Sequence, residues 1–169
     1  MADTPWGDLR VSDAHVHYFS HRFFSALARQ KQVETAEALA PLLHWEIPAE
    51  GALAERWRQE LDAQGIARAC LIASVPGAED DLARAVEAHP DRFYGCFMLD
   101  PTQPDAVDRI NRSTDMQSIA LFPAMHRYSI ADPTLNPVLE AAAAKKLAVF
   151  VHCGALSVGS MSGTGSSSV

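Results

Sequence analysis

The chain has 169 residues, 48% of them hydrophobic and 21% charged, enough for one domain with a core and too evenly mixed for a disordered tail or a disulfide miniprotein. Fourteen Lys and Arg against 21 Asp and Glu leave a formal charge of −7, the wrong sign for a nucleic-acid partner. The polar N-terminus and the lack of an apolar run of about 18 residues speak against a leader or a membrane span, and three odd, widely spaced cysteines (Cys70, Cys96, Cys153) read as reduced and buried in a cytoplasmic protein.

Residues 9–17 alternate side-chain type with period two and predict a first strand. Residues 18–48 form a long, partly helical connection anchored by apolar side chains such as Phe23, Phe24, Leu27 and Leu39. Leu53, Trp57 and Leu61 recur at helical spacing and predict a helix over 50–64, ended by Gly65 in a left-handed cap. Residues 66–74 are a nearly continuous apolar run, a second strand closed by Pro76 and Gly77. A helix follows over 78–89, with Leu82 and Val86 on one face, acidic residues in its first turn and Pro90 as its stop.

The unit repeats. Residues 93–99 are a third strand, 105–111 a short helix, and 118–122 a fourth strand ended by Pro123. Asn136 as N-cap, Pro137 at the first helical position, an alanine-rich body and Lys145-Lys146 at the negative end of the dipole predict the next helix. Residues 147–152 are a fifth strand. The last four strands begin about 25 to 29 residues apart, close to the length of a βα unit. The fold class is therefore α/β, with a parallel sheet covered on its faces. Residues 157–169 break the pattern with six serines and three glycines, a flexible tail behind a domain over 1–156.

His15 and His17 stand two apart at the C-terminal end of the first strand, so both imidazoles share one face. His152 ends the fifth strand. Parallel βα units carry their chemistry at these strand ends, and three neutral imidazoles around one cavity are a ligand set for Zn²⁺ with an open position for water. An isolated His-x-His is a common chance pattern. Its place at a strand end, matched by His152 four strands later, turns it into the expectation of a metal site.

The remaining polar residues at that end divide between two readings each. Asp13 either supports His15 as a hydrogen-bond acceptor or serves packing and capping. Asp100 and Arg127 follow the third and fourth strands, where loops contact substrate, Arg127 as partner of a substrate carboxylate or as a solvated side chain. His126 shares the loop with Arg127. His21 reads as a surface residue of the first helix rather than a pocket residue, and His44 and His89 as loop and helix-end residues. Cys153, opposite His152 in the alternation, reads as packed rather than ligating.

Three segments, Asp13-Ala14-His15-Val16-His17, Ile119-Ala120-Leu121-Phe122-Pro123 and His152-Cys153-Gly154, resemble the amidohydrolase superfamily in its amidohydrolase-related branch, which includes metal-dependent hydrolases and ACMS-decarboxylase-like enzymes. The resemblance implies about the first five strands of a TIM-type (β/α)₈ barrel, with one divalent ion, Zn²⁺ or alternatively Mn²⁺, on His15, His17 and His152. Relatives with two metals bridge them through a carboxylated lysine in the fourth strand, and residues 118–122 contain no lysine. The family's acid/base histidine from a sixth strand and aspartate from an eighth lie beyond this chain, so its catalytic residues are unassigned.

The activity implied is attack of metal-activated water on an ester, lactone or amide carbonyl. The alternatives are a metal-dependent decarboxylase of the same branch and a catalytically incomplete half-barrel fragment. The expected partner is a small carbonyl or carboxylate molecule, and five strands without closure are expected to self-associate through their open edges.

Overall fold

The computed structural model describes residues 2–49 and 51–154. An antiparallel hairpin comes first, β1 (Ala2–Thr4) with β2 (Gly7–Leu9), which the polar start of the sequence does not announce. The apolar runs that follow become β3 (Val11–Tyr18), β4 (Ile66–Ala73), β5 (Phe93–Leu99), β6 (Ser118–Leu121) and β7 (Ala148–Val151). These five pair side by side in chain order, every pair parallel.

Between the strands run α1 (His21–Gln30), α2 (Ala40–Leu43), α3 (Leu53–Ala63), α4 (Glu79–Ala88), α5 (Ala106–Arg112), α6 (Pro123–His126) and α7 (Asn136–Ala144), with 3₁₀ turns at Glu37–Leu39 and Pro133–Leu135. The expected helix over 50–64 forms from Leu53, and Gly65 takes the left-handed φ of 67° that ends it. One capping expectation needs correction. Asn136 lies inside α7, because the chain enters through the 3₁₀ turn whose first free N–H, that of Thr134, is taken by the Asp132 side chain at 2.9 Å. Lys145 stands at the C-terminal end of α7 as expected, and its ammonium also donates to the carbonyls of Asn111 and Ser113 at the end of α5, at 2.6 and 2.8 Å. Pro123 ends the strand as expected and at once opens α6, a single turn closed by Arg127 in the left-handed region.

Alternation along the strands makes two cores. Ala69, Leu71, Phe97, Leu99, Ile119 and Leu121 point outward into a layer completed by Leu61 of α3, Leu82 and Val86 of α4, Ile110 of α5, and Val138 of α7. The opposite face gathers Cys70, Ile72, Cys96, Met98, Ala120 and Phe122. The sheet is curled about this second face: His15 on one edge strand meets Phe150 on the other edge strand with ring centroids 6.3 Å apart. The second face is thus the inside of a half-barrel, the first five βα units of a TIM-type architecture.

A third cluster, with Phe24, Leu27 and Leu39 at its centre, packs the long connection beside the C-terminal rim. No helix among the described residues is long and apolar enough to cross a membrane. The expected tail over 157–169 and the domain boundary at 156 lie outside the described residues.

Candidate metal centre

The inner face at the C-terminal rim is where the imidazoles meet. β3 carries one extra residue relative to β4 between Asp13, opposite Ala69, and Val16, opposite Leu71. Such a bulge breaks the ladder and the strict alternation of faces. The Asp13 carboxylate takes the His15 backbone N–H at 2.9 Å. Of the two readings left open for Asp13, this contact is the capping one: the carboxylate fixes the backbone that carries the His15 ring.

Beyond the bulge His15 and His17 share one face. Their rings stand edge to face with centroids 5.1 Å apart, and their Nε2 atoms are separated by 3.4 Å. His17 Nδ1 lies 2.9 Å from Ser74 Oγ, and that hydroxyl donates to the Ile72 carbonyl at 3.1 Å. With its single proton committed to Ile72, the Ser74 oxygen accepts from Nδ1–H, which leaves the Nε2 lone pair of His17 facing His15. Burial and then the neighbouring His15 and His152 rings lower the His17 pKa below the usual histidine value, so the neutral, ligating form is favoured.

His152 follows β7 directly, its N–H held by the Leu121 carbonyl at 2.8 Å. Its ring stacks on Phe122 with centroids 5.0 Å apart and folds back over the backbone, where a Cβ at Gly154 would come within 3.3 Å of Nε2. His152 is thus held by packing within electrostatic reach of His17. Among the described residues no three His, Cys, Asp or Glu side chains are drawn together closely enough to close around one ion.

The pair nonetheless fits a metal. Two tetrahedral ligands on bonds of about 2.1 Å stand about 3.4 Å apart, and that is the Nε2 separation of His15 and His17. An imidazole donor set, one tautomer fixed from behind by a hydroxyl, suits zinc or a similar borderline ion. His15 and His17 would hold it, while His152, stacked on Phe122, is not drawn in with them as a third ligand among the described residues.

The other candidates serve the rim. Asp100 accepts from Thr102 N–H at 3.0 Å, from the Thr102 hydroxyl at 2.7 Å and from Gln103 Nε2 at 2.9 Å. Burial opposes its charge, but these bonds prevail and hold the carboxyl below its usual pKa. Asp100 thereby organises its own loop, with His126 Nδ1 at 3.9 Å. Among the described residues the buried His126 Nδ1 has no hydrogen-bond partner, although Asp100 lies beside it. Arg127 is exposed, in a left-handed conformation, and none of the ion pairs among the described residues involves it.

Cys153, expected to be packed, is exposed and directs its thiol to the Val151 carbonyl at 3.5 Å. His21 binds Glu37 Oε1 at 3.0 Å on the first helix, and His89 caps the end of α4.

Sequence reasoning missed Ser74 and Phe122 as parts of the centre. Ser74 had one signal, a lone hydroxyl closing an apolar strand at the functional end. Phe122 had none, because a phenylalanine in an apolar run reads only as core. Alongside His17 opens a cavity of about 370 Å³, lined by Phe19, Phe24, Trp45, Arg56 and Trp57, within the range of small-molecule sites. Phe19 stacks against His17 at 5.5 Å and against Trp45 at 5.9 Å, so one wall is a row of parallel rings.

A family model described as Amidohydrolase matches residues 12–167. No curated protein matches the chain significantly. Among solved structures, a crystal structure of an amidohydrolase II superposes with a TM-score of 0.63 at 19% identity, covering 84% of this chain and 50% of that one. The apo form of Metarhizium anisopliae IDCase gives 0.61 at 17% identity, covering 86% and 50%. A probable 2-pyrone-4,6-dicarboxylic acid hydrolase from Acinetobacter baumannii, with citric acid bound, gives 0.55 at 17%, covering 85% and 49%. These likenesses establish the fold, and the chain spans about half the length of each of these structures.

Proposed function

The chain belongs to the amidohydrolase family, and on that premise we propose that it carries the first half of the active site of a metal-dependent hydrolase acting on a small ester, lactone or amide. The observation that carries this reading is the 3.4 Å meeting of His15 and His17 Nε2 atoms, with Ser74 holding the His17 tautomer. A divalent ion bound there supplies polarisation of a carbonyl and acidification of water. The chain's own residues do the positioning: Asp13 fixes the His15 backbone, Ser74 aims the His17 lone pair, and Phe122 seats His152. The aromatic wall beside His17 gives the cavity one apolar side, and Glu46, Arg56 and Glu60 supply charged groups to its lining.

One observation favours decarboxylation of a carboxylate substrate as the second reading. Arg127 stands at the rim on the loop after β6, exposed and outside the ion pairs among the described residues, and a guanidinium there would hold a carboxylate.

Metal content after equilibration with Zn²⁺ and exhaustive dialysis tests the site. One retained ion, lost in His15→Ala/His17→Ala, is the expected result, and equal metal in both chains removes the ligand assignment. Ester and lactone hydrolysis against release of carbon dioxide, measured on the whole protein, separates the two reactions.

A further inference from the structure

Below the imidazoles the inner wall carries a pair of cysteines, Cys70 and Cys96. In the parallel pairing of β4 and β5, Cys70 stands opposite Tyr94 and Cys96 opposite Ile72. The two cysteines therefore share the inner face, two residues out of step, and both belong to its apolar cluster. The Ser118 hydroxyl on β6 lies 3.7 Å from the Cys70 sulfur. Cys70 keeps 8% of its surface exposed and Cys96 none, so access is from the Cys70 side. His17 pairs with Ile72, which puts Cys70 one side-chain layer beneath the imidazoles.

Register decides what this pair can do. Cys70 and Cys96 are diagonal neighbours on adjacent strands rather than opposite one another, whereas a disulfide needs β-carbons roughly 3.5–4.5 Å apart. A sulfur–sulfur bond would drag one strand along the other. An ion with two bonds to sulfur of about 2.3 Å each spans the gap with the backbone in place. With Cys96 beside it on the same face, the Cys70 thiol is held below the usual thiol range against the opposing effect of burial. Cys70 and burial together push Cys96 well above the usual thiol range.

We propose that Cys70 and Cys96 form a two-sulfur site for one monovalent thiophilic ion of the Cu(I) and Ag(I) class, distinct from the imidazole centre above it. No third ligand group is assembled there among the described residues, which disfavours four-coordinate zinc and suits ions content with two soft ligands. Charge balance agrees. The Cys70 thiol loses its proton to solvent as its sulfur binds the ion, while Cys96 keeps its proton and donates a lone pair. The adduct is neutral, as an apolar cluster requires.

Silver, which is redox-inert here, is the probe. In a Cys153→Ser chain, which removes the exposed thiol, native mass spectrometry is expected to show one silver ion per chain. That ion is lost in Cys70→Ala and in Cys96→Ala and kept in His15→Ala/His17→Ala. Silver X-ray absorption on the Cys153→Ser chain, which needs no further variant, is expected to show two sulfur neighbours. The proposal is overturned by absence of bound silver, by binding that survives both cysteine substitutions, by a shell of nitrogen or oxygen, or by a peptide pair linked directly through Cys70 and Cys96 after mild oxidation.

Discussion

His15 meets Phe150 edge to face with ring centroids 6.3 Å apart, although the two residues lie on opposite edge strands of a five-stranded sheet. The contact closes the inner face across the half-barrel and gives the first histidine of the centre a wall contributed from 135 residues further along the chain. Phe150 is partly buried, so Phe150→Ala is expected to cost about 2 kcal/mol, about half of the loss for a fully buried phenylalanine. Urea unfolding measures this, and an unchanged midpoint would show that the sheet holds its curl without the contact.

Ser74 sets the His17 tautomer from behind, with 2.9 Å to Nδ1. Ser74→Ala is expected to weaken Zn²⁺ binding by about 10- to 100-fold while the far-ultraviolet circular dichroism stays unchanged. Competition with a chromophoric chelator gives the affinity. Equal affinities would mean that the His17 ring is oriented by Phe19 alone.

Two tyrosines resist ionisation. Burial, then the Asp81 carboxylate, raises Tyr18 to about 12, and burial with Asp100 raises Tyr128 to about 12. The ordinary tyrosine value is about 10, so between about pH 10 and 12 the folded chain holds more protons at these sites than the unfolded chain. Stability is therefore full below about pH 10 and falls as pH rises through that window. Ultraviolet titration at the phenolate band is expected to show both phenols ionising late. Tyr18→Phe removes one late step and flattens the alkaline loss of melting temperature; a Tyr18 that titrates at the ordinary value refutes its placement against Asp81.

Gly95 has no room for a side chain. A Cβ there would lie 2.5 Å from Met116 Sδ and 3.3 Å from the Asp115 carbonyl oxygen. Gly95→Ala is expected to destabilise by about 1–3 kcal/mol, and Met116→Ala in the same chain to recover part of that in thermal unfolding. The absence of any recovery would place the strain at the Asp115 backbone.

Val149 and Val151 are 38% and 39% exposed on the edge strand β7. We propose that the 169-residue chain associates with a second copy through this edge, and sedimentation velocity is expected to show a mass that rises with concentration. Val151→Lys is expected to reduce that association, as charge does on exposed edges; a mass that stays monomeric in both chains refutes it.

Much of this molecule is decided locally. The period-two and apolar runs marked all five parallel strands, and β5 to the residue, because a strand buried on both faces, as β5 is, leaves an unbroken apolar signature. His15, His17 and His152 stand out as candidates in the sequence because they lie toward the C-terminal ends of β3 and β7, where a parallel βα array exposes side chains. Local propensity does not reach further. The bulge that turns Asp13 toward the His15 backbone depends on how β3 registers against β4. Ser74 becomes a partner of His17, and Phe122 a seat for His152, only when strands distant in sequence lie side by side.

The cysteines show the division most plainly. Each one read as a small buried residue of its own strand, and the sequence was sufficient to say that for Cys70 and Cys96. That they share one face, two residues out of step and beneath the imidazoles, is a property of strand register. Sequence determined which segments are strands and which ends carry histidines, since burial and periodicity are written along the chain. The curl of the sheet determined which side chains meet, since contacts across strands depend on register and twist that no single segment contains.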